Sequence, residues 1–292
     1  MQDSAFIQGS ANGRNRPGGF DRSMETARVV QSRLLSSHAA RLMTLECAGV
    51  TIAAQGVGGD YYDFIKPSPR RLAIALGDVS GKGVPAALML AALQASLRSH
   101  YALGAGDLAK RLESVNRLFN ECTASGHFAT MFLCEYDERT RGLRYANCGH
   151  VPPLLLRADG SLERLGPTAT VLGAFAEWRC AVAETTLAPG DTLLMFTDGA
   201  TEARNGAGEE FGDRRLERLL HSMRQLPLKA LLRICIRQVR AFAGGRPSDD
   251  LTFVAARTRL PAAAGCMRVR GVRHEAGPAA RGGIHADLHP SR

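Results

Sequence analysis

Short apolar runs separated by turns dominate the middle of the chain, and a few longer stretches repeat apolar residues at helical spacing. The short runs are typical of strands and the longer period is typical of amphipathic helices. Strands are predicted at Leu72–Leu76, Met131–Tyr136, Leu143–Ala146, Leu154–Leu156, Thr192–Phe196 and Leu251–Ala256. Helices are predicted at Val84–His100, from a capping Asp107 to Cys122, and at Leu228–Phe242. Strands at both ends with a helical pair between them favour an α+β fold.

A further helix is predicted over residues 21–45, where Met24, Ala27, Val30 and Leu34 follow a spacing near 3.6 residues. Its apolar stripe needs a partner, which is either its own domain or the same helix of a second copy in a homodimer. This linker or dimerisation helix would connect a disordered N-terminus, residues 1–20, to the main domain.

The two ends of the chain differ in composition from its middle. Residues 1–20 are rich in Gly, Asn and Ser, and residues 258–292 are mainly Ala, Gly, Pro and Arg, so both are predicted to be disordered. The folded domain is then predicted over residues 46–257. The last segment is a disordered basic tail.

The net charge of +9 lies largely at the ends. Residues 1–46 have six basic and four acidic side chains and residues 258–292 have six and two, which leaves 25 basic and 22 acidic between them. No basic stripe is interleaved with aromatic residues, so the sequence argues against a nucleic-acid partner.

Neither a membrane partner nor export is indicated by the sequence. No stretch approaches the roughly 20 apolar residues of a membrane span, and the N-terminus has no charged-then-apolar signal pattern. Seven cysteines without a CxxC spacing indicate reduced thiols and not a disulfide framework. A cytoplasmic location is expected.

Aspartates recur beside glycine at the ends of predicted strands. The segments are Val57–Asp63 (VGGDYYD), Leu76–Gly83 (LGDVSGKG), Phe196–Glu202 (FTDGATE) and Ser248–Phe253 (SDDLTF). A desolvated carboxylate costs several kcal/mol unless it is paired or bound to a cation. Four such segments predict a site for Mg²⁺ or Mn²⁺, which prefer hard oxygen ligands.

The order and wording of these segments resemble the metal-dependent protein phosphatase family (PPM, or 2C-like) in its bacterial branch, typified by the stage II sporulation phosphatase E and stress-response regulators. The resemblance spans residues 46–257. It rests on VGGDYYDF, LGDVSGKGVPAALMLA, FATMFLCEYD with YANCGHVPPLLL, LAPGDTLLMFTDGATEARN with EEFG, and DDLTF. It implies a four-layer α-β-β-α sandwich of two antiparallel sheets flanked by helices, with a two-metal site at one end.

Residue roles follow from the positions that match the family pattern. The resemblance implies that Asp78 bridges two Mn²⁺ or Mg²⁺ ions and that the carbonyl of Val79 binds one of them. Asp198 and Asp249 would bind the other ion, and Asp60 would act mostly through metal-bound water.

The choice within the Asp-Asp pair also follows from the family, whose ligand is the first residue of the pair. Asp250 is therefore expected to make a structural turn. His127 and His150 are candidates for protonating the leaving group, with a hydrogen-bonded structural role as the commoner alternative. The eukaryotic members of the family place an arginine near the substrate phosphate, upstream of the first aspartate; here Arg41 is the nearest candidate, in a context that does not match.

The implied activity is that of a protein serine/threonine phosphatase (a hydrolase), in which two cations activate a water for attack on phosphorus. The implied substrate is a phosphoprotein, an anti-sigma-factor antagonist in a partner-switching pathway of sigma factor regulation, and an unknown activator protein is expected.

Two alternatives come from other classes. A nucleotide-binding P-loop fails because Gly77 and Gly81 are one residue too close and Lys82 is followed by Gly83. A catalytically silent phosphatase fold that serves as a binding or regulatory module would be expected to lack ligand aspartates, and here all four are present.

Overall fold

The computed structural model describes residues 17–34, 39–104, 106–123, 126–245 and 248–259. These residues form six helices and eleven strands. In chain order they are α1 (Pro17–Leu34), β1 (Ala39–Arg41), β2 (Leu45–Ile52), β3 (Asp60–Ser68), β4 (Arg71–Val79), α2 (Gly83–Ala102), α3 (Leu108–Cys122), β5 (Ala129–Asp137), β6 (Gly142–Cys148), β7 (Leu154–Leu156), β8 (Leu162–Arg164), β9 (Ala183–Thr186), β10 (Thr192–Phe196), α4 (Asp198–Thr201), α5 (Asp213–Ser222), α6 (Leu228–Phe242) and β11 (Leu251–Thr258).

The strands form two antiparallel sheets. One sheet has the order β1-β2-β11-β10-β7-β8 and the other has the order β3-β4-β5-β6-β9. Apolar side chains of both sheets share a central core, while α2 and α3 cover the outer face of the five-stranded sheet and α5 and α6 that of the six-stranded sheet. This arrangement confirms the expected four-layer α-β-β-α sandwich.

Strand β4 shows how side-chain size sets the layers. Ala73 and Ala75 point to the helices and leave room for α2, whereas Leu72, Ile74 and Leu76 point into the core between the sheets. All five side chains are buried, which explains why the strand has a continuous apolar run and no alternation. The six predicted strands are all present, as parts of β4, β5, β6, β7, β10 and β11.

The three predicted helices of the domain are also confirmed, as α2, α3 and α6. The carboxylate of Asp107 accepts a hydrogen bond of 2.9 Å from the backbone N–H of Lys110, so Asp107 caps α3 as predicted. Helix α6 buries Leu228, Leu232 and Val239 on the outer face of the six-stranded sheet.

The predicted bounds of the N-terminal helix are wrong. Helix α1 begins at Pro17, because proline is well tolerated at the first helical position, and it ends at Leu34. Residues 39–41 are not helical, because they pair with Glu46–Ala48 as the edge strand β1. The sheet therefore begins before the predicted boundary at Glu46.

Helix α1 lies against its own domain. The side-chain amide of Gln31 donates to the carbonyl of Gly58 (2.7 Å) and accepts from the N–H of Gly58 (3.1 Å), and Gln94 of α2 donates to the carbonyl of Leu34 (2.8 Å). Val29 and Val30 nevertheless remain 39% and 53% exposed. The helix thus has a docked side and an apolar side that the described chain leaves open.

At the other end, β11 continues to Thr258, and the N–H of Arg259 donates to the carbonyl of Thr44 (2.9 Å). The fold therefore includes residues 258 and 259, which the sequence placed in the tail. The rest of that predicted tail, and residues 1–16 of the predicted N-terminus, lie outside the described residues. Within the described ranges, no helix is both long and apolar enough to cross a membrane.

Candidate active site

Strands β3 and β4 bring two of the predicted aspartates together. Asp60 and Asp78 are direct partners in the antiparallel register, and Thr130 of β5 is the next residue across. Asp60 is 4% exposed. These two carboxylates therefore lie at the same end of the five-stranded sheet.

The six-stranded sheet supplies the other two aspartates. Asp198 follows β10 as the first residue of the short helix α4, and Asp249 lies just before β11. Because Phe196 and Phe253 are partners in the β10–β11 register, both aspartates lie at one end of that sheet.

The two pairs meet through a contact between the sheets. The hydroxyl of Thr197 donates a hydrogen bond of 2.8 Å to the carboxylate of Asp60. The same hydroxyl accepts from the N–H of Thr252 (3.2 Å). The four predicted aspartates thus belong to one end of the sandwich.

Asp250 holds loops of the site in position, and each of its carboxylate oxygens accepts a backbone hydrogen bond. Its carboxylate accepts from the N–H of Ala54 (2.8 Å) and from the N–H of Gly59 (2.7 Å). A Cβ on Gly58 would overlap this carboxylate, so only glycine fits there. This geometry agrees with the structural role expected for Asp250 and leaves Asp249 as the carboxylate of the pair that faces the site.

Lys82 is a site residue that the sequence analysis treated only as part of a failed P-loop. Its ammonium group lies 2.8 Å from the carboxylate of Asp249 and donates to the carbonyl of Ser248 (3.1 Å). The side chain is 49% exposed, so it reaches the carboxylates from the solvent side. The segment GDVSGKG therefore contributes both an aspartate and a cation.

The carboxylates destabilise one another as anions. Burial and the charges of Asp198 and Asp249 raise the pKa of Asp78 to about 7. Burial, followed by the charge of Asp78, raises the pKa of Asp60 well above its usual range. Burial and Asp249 also raise the pKa of Asp198. Such shifts are expected where several carboxylates share a site that a cation would neutralise.

The chemistry of these donors fits Mg²⁺ or Mn²⁺, since all of them are oxygens and the group is strongly negative. Within the described ranges, however, no three His, Cys, Asp or Glu side chains are close enough to form a closed cage around a single ion. An open arrangement suits ions such as Mg²⁺ that keep several bound waters. In this structure the charge of Asp249 is balanced by the ammonium group of Lys82.

His150 does not match the role of a leaving-group acid. It is 4% exposed, and its Nδ1 lies 2.8 Å from the hydroxyl of Thr130, the strand partner of Asp78. Burial lowers its pKa to about 4. We therefore correct this candidate to a buried structural residue. His127 is partly buried and precedes Phe128, whose backbone N–H donates a hydrogen bond to Ser80 Oγ (3.0 Å), next to Val79.

Arg41 is also excluded as a phosphate ligand. It lies in β1 opposite Glu46, and Glu46 pairs with Arg257 of β11. Because Asp249 precedes the other end of β11, Arg41 lies at the end of the sandwich remote from the aspartates.

Comparison with known protein families identifies the chain by a family description. The family description "Stage II sporulation protein E (SpoIIE)" matches residues 68–259, which is more than half of the chain. Protein IcfG of Synechocystis sp. is 29% identical over 259 residues, which cover 80% of this chain and 41% of that protein. The phosphoserine phosphatase RsbU of Bacillus subtilis is 30% identical over 186 residues, which cover 63% of this chain and 55% of that protein. The chain thus spans about half the length of these relatives.

Solved structures share the same architecture. The SiaA-PP2C domain of Pseudomonas aeruginosa superposes with a TM-score of 0.71 at 22% identity, and the superposition covers 84% of this chain and 98% of that one. At this identity the similarity is one of fold. The structure of the RsbU and RsbW domains of Rv1364c from Mycobacterium tuberculosis superposes with a TM-score of 0.66 at 28% identity, covering 77% of this chain and 63% of that one.

Proposed function

This chain belongs to the stage II sporulation protein E family of PP2C-type phosphatase domains, and from that membership we propose that it is a metal-dependent protein serine/threonine phosphatase. The observation that supports the proposal most is the gathering of Asp60, Asp78, Asp198 and Asp249 from both sheets at one end of the sandwich. The raised pKa values of three of these carboxyls indicate an arrangement that a cation would stabilise.

We assign the ligands by the family pattern. Asp78 and the Val79 carbonyl would hold one Mn²⁺ or Mg²⁺ ion, Asp198 and Asp249 would hold a second ion with help from Asp78, and Asp60 would contribute through bound water. When bound, two such cations activate a water for attack on phosphorus and neutralise the phosphoryl oxygens.

The protein's own residues position these ligands. Thr197 fixes the orientation of Asp60, and Asp250 holds the loop at Gly59 beside Val79. A Cβ on Gly59 would lie 2.6 Å from the carbonyl of Val79, so the glycine permits the close approach of the two backbone segments. Lys82 is placed to leave Asp249 when a metal ion binds and to attract the anionic phosphoryl group of the substrate.

The proposed substrate is a phosphoserine or phosphothreonine on an anti-sigma-factor antagonist in a partner-switching pathway, with the cytoplasm as the place of action. The likeness to the phosphoserine phosphatase RsbU and to the RsbU and RsbW domains of Rv1364c supports this assignment. An activator protein is part of the proposal, because a switchable phosphatase stays inactive until a partner favours its active conformation.

The exposed apolar side of α1 supports the proposed homodimer. Val29, Val30 and Leu34 are all at least 39% exposed. Sedimentation should show a dimer for the full chain and a monomer for Val30→Asp, with Ser32→Asp, an exposed polar position of the same helix, as control. Equal oligomeric states of all three proteins would refute a dimer formed through this side of α1 and leave the phosphatase proposal intact.

The activity itself is tested by hydrolysis of a phosphoserine peptide with Mn²⁺, Mg²⁺ or a chelator. We expect metal-dependent turnover that Asp78→Asn and Asp198→Asn abolish, whereas Asp159→Asn, at an exposed turn, retains it. Turnover that is unaffected by the chelator would contradict the metal mechanism. A wild type that binds Mn²⁺ without turnover would point to a missing activator, and one that does neither would favour the silent binding module.

A further inference from the structure

A cavity of about 390 Å³ lies at the end of the sandwich opposite to the aspartates. It is lined by Thr192 at the start of β10, by Arg257 near the end of β11, and by three further arginines, Arg157, Arg224 and Arg259. Strand β11 separates Arg257 from Asp249, which is a distance of roughly 25 Å at about 3.3 Å a residue. The cavity is therefore independent of the proposed catalytic site.

Arg157 belongs to the frame of this cavity. Its guanidinium makes a two-bond ion pair with Glu163 (2.7 and 2.9 Å) and a further ion pair with Asp191 (2.9 Å). It also donates to the carbonyl of Thr186 (2.7 Å). Since two carboxylates already balance its charge, Arg157 is not available to an incoming anion.

Arg257 is less well satisfied. Its Nε donates to the hydroxyl of Thr192 (2.8 Å) and its Nη1 donates to the carbonyl of Leu226 (2.6 Å), which fixes the guanidinium at the cavity wall. Its Nη2 is buried and has no hydrogen-bond partner within the part of the chain that the structure describes. Burial lowers the pKa of this guanidinium, and only Glu46 opposes that effect. A buried donor without an acceptor is costly, and an anion would remove the cost.

The other two arginines add positive charge that is not matched. Arg259 approaches Glu46 at 3.9 Å, the outer limit of an ion pair. Arg224 is exposed and makes no ion pair with the described residues. Apart from Arg157, the lining of the cavity therefore contains three guanidinium groups, those of Arg224, Arg257 and Arg259, and the single carboxylate of Glu46.

We propose that this cavity binds a small ligand bearing phosphate groups, of the size of a diphosphate or a nucleoside diphosphate. Guanidinium groups match phosphate oxygens in geometry and charge, and three of them around one cavity favour a ligand with more than one phosphate group. The volume lies in the range of small-molecule sites and exceeds what a single water-sized ion requires.

The test is calorimetric titration of the full chain with pyrophosphate and with ADP, in a chelator so that metal-bridged binding at the aspartates is removed. Wild type should bind pyrophosphate, and Arg224→Ala should weaken its Kd by about tenfold, as loss of a charge-assisted contact predicts. Arg224 is exposed, so the variant keeps its fold. Arg237→Ala removes the same charge from an exposed position of α6 and should bind as wild type does.

Each result decides the proposal. Binding of ADP and pyrophosphate with equal Kd would support recognition of the phosphates alone, and tighter binding of ADP would support a nucleotide ligand. Absence of binding to wild type, or equal weakening by Arg224→Ala and Arg237→Ala, would overturn the proposal. So would binding of a phosphoserine peptide without binding of pyrophosphate or ADP. None of these results depends on phosphatase activity.

Discussion

The hydroxyl of Thr197, at the end of the six-stranded sheet, donates a 2.8 Å hydrogen bond to the buried carboxylate of Asp60, at the start of β3 in the other sheet. The residues are 137 positions apart in sequence. The contact holds the two halves of the proposed metal site in one arrangement. It also supplies one of the few neutral donors to a carboxylate whose pKa is raised by burial and by Asp78.

Thr197→Val should destabilise the metal-free protein by about 1–3 kcal/mol, because a buried carboxylate and the N–H of Thr252 both lose a partner. Urea unfolding in a chelator measures the change. Thr186→Val, at an exposed position of β9, is the control and should stay within about 0.5 kcal/mol of wild type. Equal stability of the two variants would show that the contact between the sheets contributes nothing.

Lys82→Met should strengthen Mn²⁺ binding by about three- to tenfold, because the ammonium that competes for Asp249 is removed. Stability should change by less than about 1 kcal/mol, since the ion pair is half-exposed. Calorimetric titration with Mn²⁺ gives the affinity, and Lys66→Met, at an exposed position of β3, controls for net charge. Weaker Mn²⁺ binding by Lys82→Met than by the control would mean that Lys82 supports the metal and does not compete with it.

The pKa of Asp78, raised from 3.8 to about 7, predicts a pH dependence of stability in the metal-free protein. Between these values the folded state binds more protons than the unfolded state, so the stabilisation is complete below about pH 4 and is lost as the pH rises through about 7. Asp78→Asn removes this loss and should be more stable than wild type at pH 8 by about 1–3 kcal/mol. Unfolding curves at pH 5 and pH 8 in a chelator measure it. A variant less stable than wild type at pH 8 would contradict the mutual repulsion of the carboxylates.

His150 predicts the opposite pH dependence. Burial lowers its pKa from 6.5 to about 4, so the folded state binds fewer protons than the unfolded state in this range. Stability is complete above about pH 6.5 and falls as the pH falls toward 4. His150→Gln, which can still hydrogen-bond Thr130, should lose less stability than wild type between pH 7 and pH 5. Equal losses for the two proteins would show that His150 is already protonated or accessible.

Several elements could be predicted from the sequence because their local pattern agrees with their tertiary environment. Strand β4 has a continuous apolar run because both of its faces are covered, and α6 begins directly after Pro227, which ends the preceding loop. The buried run Leu72–Leu76 of β4 and the buried face of α6 consist of apolar residues only, so neither needs a distant charged partner.

Strand β3 was harder to predict, because it contains charged residues that are buried. Asp63 is 1% exposed in the middle of an apolar core region, and it is tolerated because Arg98 of α2 forms a two-bond ion pair with it (2.6 and 2.7 Å). That partner is 35 residues away, and no local periodicity indicates it.

The candidate site could be predicted only in part, because several of its contacts also join residues that are far apart in the sequence. The aspartates stand in recognisable segments beside glycine, whereas Lys82, Thr197 and the loop contacts of Asp250 act on residues 137 to 196 positions away. Only folding brings these groups together. The sequence also made Arg41 a candidate phosphate ligand and His150 a candidate leaving-group acid. Arg41 lies at the remote end of the sandwich and His150 is buried, so the structure excludes both roles.

The number of Mn²⁺ ions that the metal-free protein binds tests the central proposal most directly. Calorimetric titration should give two ions for the wild type and for Asp159→Asn, and a loss of both for Asp78→Asn, since Asp78 is the ligand assigned to both ions. Asp198→Asn should lose the ion that it shares with Asp249. Full binding of two ions by Asp78→Asn, or no binding by the wild type, would contradict the proposed two-metal site.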